Sequence, residues 1–224
     1  MKAFLVSVFL ILFVSESLAY AADPPAPATI ALPTAKVDGR VSVEKALKAR
    51  RSLRAPATKP LTLGQIGQLC WAAQGVTNDK GFRTAPSAMA SYPLELYVIA
   101  GSVTGLAPGI YHYEPAKHSL KLLAVGDKRA DFDEKAVNQD WIARAPAIFV
   151  IAGVGERMET MEKLGRPFMF IETGLAAQGF FLQATALGLG STFVGGFEAP
   201  EARTALGLPA AEEVLAVLPV GHRP

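Results

Sequence analysis

One stretch near the C-terminus constrains the fold more than any other feature of the sequence. Residues 167–197 contain a single charged side chain, Glu172, and apolar residues recur at helical spacing from Phe168 to about Leu187. The predicted helix is apolar on nearly all sides, so it must be buried on most of its faces. Gln178 and Gln183 interrupt it too often for a membrane span. The pattern therefore predicts either the centre of a domain or part of a large subunit interface.

The composition argues against several classes of protein. The chain has 224 residues, of which 50% are hydrophobic and 19% are charged, as is typical of one folded domain. The formal net charge is only +2, which argues against nucleic-acid binding and against a polybasic membrane patch. A single cysteine, Cys70, and three histidines cannot build an intrachain disulfide framework or a cysteine-rich zinc site, so we expect no metal centre.

The N-terminus has the pattern of a secretory signal peptide, which we assign to residues 1–21. Lys2 is followed by an apolar run and by small residues that end at Ala21, in an A-x-A cleavage pattern. The run is about a dozen residues long, whereas a spanning helix needs about 20, so we expect cleavage without stable membrane insertion. No twin arginine precedes the run, which points to the general secretory route and to a periplasmic or secreted protein.

The rest of the chain divides into a linker and one folded body. Residues 22–36 hold four prolines and little charge, which predicts an extended, flexible linker. The body, residues 37–224, predicts an α+β domain because helices and strands follow one another without regular βαβ alternation. Two helices capped by Ser42 and Thr62 come first. Strands are predicted at 95–100, in a strand, turn and strand over 109–125, at 147–154 and at 214–220.

Three segments could bind a ligand, although each also has an ordinary structural interpretation. Arg50, Arg51, Ser52 and Arg54 can converge on a phosphate, since guanidinium groups match phosphate oxygens, or they can form a solvated basic turn. Residues 83–93 form a loop of small residues that a flat ligand could approach. The paired glycines of residues 194–197 can expose backbone N–H groups. Motifs for dinucleotide domains, P-loops, α/β-hydrolases and zincins are absent.

Taken in order, these segments resemble the nitroreductase superfamily of FMN-dependent oxidoreductases, and within it the SagB-type dehydrogenase branch. The resemblance covers roughly three quarters of the chain. It rests on RRSLR at 50–54, PLTLGQIGQLCWAAQGVT at 60–77, RTAPSAMASYPLELYVIAG at 83–101, GIYHYEPAKHSL at 109–120, NQDW at 138–141, ETGLAAQGFFLQATALGLG at 172–190 and LPVG at 218–221.

The resemblance implies a fold, a partner and a cofactor. The expected fold is α+β, with a central, mostly antiparallel sheet flanked by helices, in an intertwined homodimer that binds one FMN at each of two interface sites. Arg50, Arg51 and Ser52 would hold the phosphate, and Arg54 would lie near the N1/O2 side of the flavin. The partner subunit would line the ring with Pro86, Ser87, Ala88 and Met89. Asn138 or Gln139 would reach the ribityl chain or ring, and Gly195 or Gly196 would offer a backbone N–H towards N5. Ser91 and Arg223 are the remaining expected cofactor contacts.

Departures from the family pattern leave more than one function open. Met89 stands where glycine is expected, and Lys163, a candidate catalytic residue, is followed by Leu164 where azoline oxidases carry tyrosine. We expect a ping-pong oxidoreductase that passes electrons from a small-molecule donor to a small acceptor. The alternatives are a SagB-like dehydrogenase of a peptide or heterocycle, and a flavin-binding or cofactor-free partner protein.

Overall fold

The computed structural model describes residues 28–224; the expected signal peptide and the start of the expected linker lie outside them. A seven-stranded sheet forms the centre. Its strands are β1 (Thr29–Ala31), β3 (Leu94–Ala100), β5 (Gly109–Glu114), β6 (Ser119–Val125), β7 (Ala147–Val154), β8 (Leu189–Ser191) and β9 (Glu212–His222). They lie in the order β1-β6-β5-β3-β7-β9-β8, and every neighbouring pair is antiparallel. Strands β2 (Leu61–Thr62) and β4 (Val103–Thr104) form a separate parallel pair.

Helices cover both faces of the sheet and confirm the predicted α+β class. They are α1 (Val43–Ala49), α2 (Leu63–Gln74), α3 (Arg129–Phe132), α4 (Gly165–Ala186) and α5 (Ala199–Leu206). A short π-helical segment at Asp133–Val137 follows α3, and 3₁₀ segments occur at Ala88–Ala90 and Gly155–Leu164.

Alternation along β3 separates two hydrophobic layers. Leu94, Leu96 and Val98 belong to the layer that includes α2 and α4, whereas Tyr97 and Ile99 belong to the layer that includes α3 and α5. This arrangement follows from the two-residue period of a strand. The middle strands β3 and β7 are almost completely buried between the two layers.

The first two helices begin where the sequence predicts. The Ser42 hydroxyl accepts a hydrogen bond from the Lys45 N–H, and Thr62 forms a reciprocal capping box with Gln65. Helix α2 ends at Gly75, also as predicted. The arginine cluster follows directly after α1, whose C-terminal cap is Arg50.

The long apolar helix exists, but a single chain buries only part of it. Ala176, Ala177 and Phe180 pack inside the domain, while Ile171 remains 57% exposed. Phe170 and Leu175 are exposed as well. The prediction of burial on most faces is therefore not met within one chain. Among residues 28–224, no helix is both long enough and apolar enough to cross a bilayer.

The described part of the expected linker is extended but attached to the domain. Residues Thr29–Ala31 pair with β6 as an edge strand. The side-chain amide of Gln68 donates to the Lys36 carbonyl and accepts from the Lys36 N–H, at 2.9 and 2.8 Å. Backbone pairing thus fixes residues that the proline content alone predicts to be free.

Candidate active site

Residues 50–57, which we call the strap, carry the arginine cluster across one end of the sheet. Ser52 forms a β-bridge with Ser191 at the end of β8, and the Leu53 N–H donates to the Ser191 carbonyl at 3.1 Å. Farther along, the Ala57 N–H donates to the His222 carbonyl at 2.9 Å. The strap is therefore held at both ends by backbone hydrogen bonds.

Two glycines let the strap lie directly on the strands. A Cβ atom on Gly190 would stand 2.6 Å from Leu53 Cδ2, and one on Gly221 would stand 2.7 Å from Pro56 Cβ. Separations this short cannot exist, so any larger residue would lift the strap. The two glycines thus explain how a polar, proline-containing segment comes to be fixed against β8 and β9.

The strap brings together the arginines that the sequence separates. Arg223 Nε donates to the Leu189 carbonyl at 3.2 Å, and both of its terminal nitrogens lie 3.2 Å from the Ala49 carbonyl at the end of α1. Arg51 donates to the carbonyls of Lys48 and Arg50. The C-terminal arginine therefore lies beside Ala49, directly before the cluster at residues 50–54.

The four arginines at the strap lack acidic partners. Across residues 28–224, no carboxylate lies within ion-pair distance of Arg50, Arg51, Arg54 or Arg223. Grouped guanidinium groups repel one another, so this concentration of positive charge favours an anionic ligand. The residues present fit a phosphate group, because guanidinium N–H groups and a hydroxyl are its usual donors.

Two buried polar atoms lie beneath the strap. Ser191 Oγ and His222 Nε2 have no hydrogen-bond partner among residues 28–224. Both belong to the strand residues that the strap pairs with. Protein atoms enclose both, so a ligand on the outer side of the strap reaches neither unless the strap shifts.

The paired glycines follow β8 along the same edge of the sheet that the strap contacts at Ser191. Val194 exchanges two backbone hydrogen bonds with Val217, and Gly195 and Gly196 follow with exposed backbone. A Cβ on Gly196 would meet nothing. Open space above a glycine backbone is what a flat ligand requires.

Asn138 and Gln139 lie close to these glycines. The Glu198 N–H donates to the Ala136 carbonyl at 2.9 Å, which ties the two loops together. Asn138 is left-handed and exposed, whereas the Gln139 side-chain oxygen accepts a hydrogen bond from the Trp141 indole at 3.1 Å. Of the two candidates, Asn138 therefore has the side chain free for a ligand.

The Pro86–Tyr92 loop is anchored from three directions. Ala88 N–H donates to the Glu172 carboxylate at 2.8 Å, the Tyr92 N–H donates to the Ser87 hydroxyl at 2.8 Å, and Arg157 donates to the Tyr92 carbonyl at 2.9 Å. Within the loop Pro86 is exposed and Ser91 is half-buried. Ser87 is therefore a loop-forming residue in one chain as well as a candidate cofactor contact.

Within one chain, this loop lies far from the strap. It contacts α4 at Glu172, whereas the strap contacts Leu189–Ser191, beyond the C-terminal end of that helix. The 15 positions from Glu172 to Leu187 span about 22 Å at 1.5 Å per residue. The structure thus brings Arg50–Arg54, Arg223 and Gly195–Gly196 to the β8 edge of the sheet, with Asn138 near the loop after the glycines, and leaves the other expected contacts apart.

Comparison with known proteins decides the family. The description "Nitroreductase family" applies to a sequence profile that matches residues 47–222. The chain belongs to the nitroreductase family. A protein of Methanocaldococcus jannaschii whose name places it among the nitroreductases is 38% identical over 184 residues, which cover 82% of this chain and 92% of the relative.

Solved structures of this family share the fold. The crystal structure of a nitroreductase-type protein from Ralstonia eutropha JMP134 superposes with a TM-score of 0.77 at 27% identity, covering 91% of this chain and 96% of the other. The Vibrio harveyi NADPH:FMN oxidoreductase, solved with NAD+, has a TM-score of 0.59 at 21% identity and covers 80% and 68%. The chain is thus a nitroreductase-family oxidoreductase with a nitroreductase-like fold; the SagB-type branch stays a prediction.

The sequence did not identify Glu172 as the anchor of the loop. Glu172 is only 4% exposed and is the one charged side chain in residues 167–197. A buried carboxylate must be hydrogen-bonded, so its isolation was the signal that could have revealed a partner. Which N–H group it binds could not be predicted, because Ala88 lies 84 residues away in the chain.

A polar network beside the loop was also missed. His112 Nε2 lies 2.7 Å from Glu95, which also pairs with Arg157, and the Tyr97 hydroxyl donates to Glu212 at 2.7 Å. Burial alone would raise the pKa of Glu95, but the hydrogen bonds from His112 and Arg157 outweigh it and hold that pKa below its ordinary value. Burial raises the pKa of Glu212, which the Tyr97 hydrogen bond only partly offsets.

Lys163 and a large cavity lie away from the strap. Lys163 is exposed in the Gly155–Leu164 segment, at the same end of the molecule as the Pro86–Tyr92 loop, to which Arg157 of that segment is bonded. A cavity of about 830 Å³ lies between residues 33–43, α2 and α4. None of the predicted cofactor contacts lines it.

Proposed function

We propose that this nitroreductase-family protein is an FMN-dependent oxidoreductase with its cofactor phosphate on the strap. The observation that carries the proposal is that the four arginines at the strap have no acidic partner among residues 28–224 and lie on the same sheet edge as exposed glycine backbone. The name of the V. harveyi structural neighbour, which includes FMN, supports the choice of cofactor. The resemblance of RRSLR to the FMN-binding segment of the family supports it independently.

FMN, when bound, supplies hydride and electron transfer at N5 of its ring. Arg50, Arg51, Ser52 and Arg223 bind its phosphate through charge-assisted hydrogen bonds. Arg54 places positive charge near the ring, where it stabilises negative charge that builds up on reduction. The backbone N–H groups of Gly195 or Gly196 and the Asn138 amide orient the ring, and no side chain needs to act as an acid or base.

We propose a ping-pong cycle in which the donor leaves before the acceptor binds. The strap and the loop at Gly195–Gly196 lie along one exposed edge of the sheet. The electron donor and the electron acceptor would therefore use the same position beside the flavin ring, one after the other. Lys163 has no assigned step, although its exposure leaves it free to contact a substrate.

A homodimer would complete the site. Phe170, Ile171 and Leu175 leave an apolar stripe exposed on α4, and such a stripe favours a protein partner over water. A second copy on this stripe could bring its Pro86–Tyr92 loop to the strap of the first. Pro86, Ser87, Ala88 and Met89 would then line the flavin from the partner.

Export would change the electron donor. If residues 1–21 direct secretion, the mature protein works where NAD(P)H is scarce and must acquire FMN after crossing the membrane. We therefore propose a quinol, a membrane flavoprotein or the substrate itself as the donor.

The test is to purify the mature chain, add FMN, remove unbound flavin and record anaerobic stopped-flow reduction by NADH, NADPH and a quinol. If the quinol reduces the bound flavin faster than NADH and NADPH do, the result supports both the oxidoreductase proposal and the donor proposal. Reduction by either nicotinamide at rates on the order of 10 per second or faster, which are typical of turnover, would overturn the donor proposal alone. Failure to retain FMN would overturn the cofactor assignment.

A further inference from the structure

The cavity between residues 33–43, α2 and α4 has the size of a binding site for a small organic molecule. It measures about 830 Å³, within the range in which such sites occur. Trp71 contributes an indole ring to its lining. Small and aliphatic side chains of the helices form a further part of its apolar lining: Ala46, Ala72, Leu182 and Ala186. The cavity therefore suits a ligand with an apolar, aromatic body.

Hydrogen-bond donors predominate among the polar side chains of the cavity. Gln65 and Gln183 line it, and internal hydrogen bonds occupy the side-chain oxygen of each. Gln65 Oε1 accepts from the Thr62 N–H at 2.9 Å, and Gln183 Oε1 accepts from the Gln68 side-chain amide at 3.2 Å. Among residues 28–224, neither Nε2 atom has a hydrogen-bond partner, and the Trp71 indole N–H has none either. Three side-chain donors thus remain for a ligand that accepts hydrogen bonds.

Positive charge predominates at the cavity as well. Lys36 and Arg40 line it, and Asp38 is the one carboxylate among its lining residues. Within residues 28–224, neither cation lies at ion-pair distance from a carboxylate. A carboxylate group on the ligand matches both the cations and the N–H donors, because it accepts several hydrogen bonds and carries negative charge.

The segment 37–41, which contributes to one wall of the cavity, lies between two fixed points. Before it, both backbone groups of Lys36 are bonded to Gln68, and after it Ser42 caps α1. Residues 37–41 make no hydrogen bond to the rest of residues 28–224, and Val37 is 83% exposed. A ligand can therefore displace this segment without breaking a hydrogen bond within the described chain.

We propose that this cavity binds an aromatic carboxylate, with the rings against Trp71 and the apolar lining and the carboxylate at the amide donors and the two cations. None of the expected FMN contacts lines the cavity, so this site is separate from the strap. Binding here does not depend on whether the strap holds FMN.

The test is isothermal titration calorimetry of the purified mature chain with 2-naphthoate and with its neutral analogue 2-naphthamide, each with and without saturating FMN. About one 2-naphthoate should bind per chain, roughly fivefold or more tightly than 2-naphthamide, because the amide lacks the negative charge. Saturation with FMN should leave the affinity for 2-naphthoate within about twofold, because the two sites are separate.

The variant Gln183→Glu locates the probe. Glutamate still accepts the hydrogen bond from Gln68, but it places a negative charge at the cavity. It should weaken 2-naphthoate binding by about tenfold or more and 2-naphthamide binding by about threefold or less. Ala130→Glu adds the same charge at an exposed position of α3, in the other layer, and should bind both probes as the wild type does. Ala186→Phe fills the cavity and should weaken both probes, with circular dichroism as the check of folding.

Equal wild-type affinities for the acid and the amide, or an unchanged affinity for 2-naphthoate in Gln183→Glu, would overturn the proposed site. Displacement of 2-naphthoate by FMN would locate the probe at the strap and overturn it as well. Binding that appears only in Ile171→Glu, after separation of a dimer, would show that a second copy covers the cavity instead. A protein that binds 2-naphthoate as expected but binds no FMN would contradict the proposed function alone.

Discussion

At the scale of single residues, the partners of each charge determine its role. Arg129 has the sequence context of a solvated surface charge, yet it pairs with Asp127 and donates to the Ala145 carbonyl at 2.7 Å. Gly101 has no side chain because Arg129 occupies that space, at 1.7 Å from where a Cβ would stand. Arg54, by contrast, is exposed and makes no ion pair with residues 28–224, so it is available to a ligand.

We predict that Arg54→Ala weakens FMN binding by roughly tenfold or more. A hydrogen bond to a charged group contributes about 1.5 to 3 kcal/mol, and about 1.4 kcal/mol corresponds to tenfold in affinity. Fluorescence titration with FMN measures the change. Lys117→Ala, which removes an exposed positive charge in the turn between β5 and β6, is the control and should bind FMN as the wild type does. Equal affinity in Arg54→Ala and the control would remove Arg54 from the site.

The carboxylates of Glu95 and Glu212 should change the free energy of unfolding in opposite directions when they ionise. The pKa of Glu95 is lowered in the folded state, so its contribution is present above its ordinary pKa near 4.5 and is lost as pH falls through the folded value. The pKa of Glu212 is raised, so the folded state binds its proton more tightly and stability falls as pH rises above about 4.5.

We therefore predict that Glu95→Gln lowers the free energy of unfolding at pH 7 by about 1 kcal/mol, because a partly exposed ion pair is lost. Glu212→Gln should be neutral or stabilising at pH 7, because Gln still accepts the Tyr97 hydrogen bond and carries no buried charge. Urea titrations at pH 7 and pH 4 measure both effects, which should shrink at the lower pH. If both substitutions destabilise the protein at pH 7, or both stabilise it, the opposite pKa directions assigned to Glu95 and Glu212 are contradicted.

The residues of the candidate site differ in how far the sequence alone could predict their positions. The cluster at residues 50–54 was predictable because its members are adjacent in the chain. The contact between Arg223 and the Ala49 carbonyl spans 174 positions and depends on where β9 ends, which no local pattern reports. The hydrogen bond from the Ala88 N–H to Glu172 could not be predicted for the same reason, because the two residues are 84 positions apart.

At the scale of secondary-structure elements, local signals gave most boundaries. Ser42, Thr62 and Gly75 mark helix ends through hydrogen bonds within a few residues, so the sequence carries them in full. Strand β1 was not predicted, because its stability comes from pairing with β6 rather than from its own composition. The strap was missed as an element because its order depends on Gly190 and Gly221, far along the chain.

The crossing of α2 and α4 depends on one glycine. A Cβ on Gly179 would stand 2.7 Å from the Ala72 carbonyl oxygen, which is backbone and cannot turn away. We predict that Gly179→Ala lowers the free energy of unfolding by about 1 to 3 kcal/mol, although alanine favours helix elsewhere. Thermal or urea unfolding checks this. Gln178→Ala, at the adjacent exposed position, should stay within about 0.5 kcal/mol of the wild type. A stabilised Gly179→Ala would show that the two helices are farther apart.

At the scale of the whole molecule, helix α4 packs in the core on one side and leaves an apolar stripe exposed on the other. The sequence predicted a helix too apolar for water, and the structure places part of that apolar surface on the outside of one chain. We predict that Ile171→Glu converts a dimer into a folded monomer or a much weaker dimer, because the new charge would be buried in the interface without a partner. Light scattering measures the mass, and far-ultraviolet circular dichroism checks the fold.

Phe181→Glu is the contrasting variant. Phe181 packs against the hydrophobic core and lies 6.0 Å from the Phe180 ring, so this change should unfold the chain rather than only separate subunits. A wild-type protein that is a folded monomer at micromolar concentration would contradict the dimer proposal.

We propose that the strap recognises the phosphate of FMN, and a comparison of FMN with riboflavin tests this proposal. The two ligands share the ring and ribityl chain and differ in the phosphate alone. Fluorescence titrations of the mature protein should show FMN binding about a hundredfold tighter than riboflavin or more, since several charge-assisted hydrogen bonds are at stake. Arg223→Ala should reduce this difference in affinity about tenfold, because it weakens the binding of FMN but not that of riboflavin. Equal affinities for FMN and riboflavin in the wild type would contradict the account.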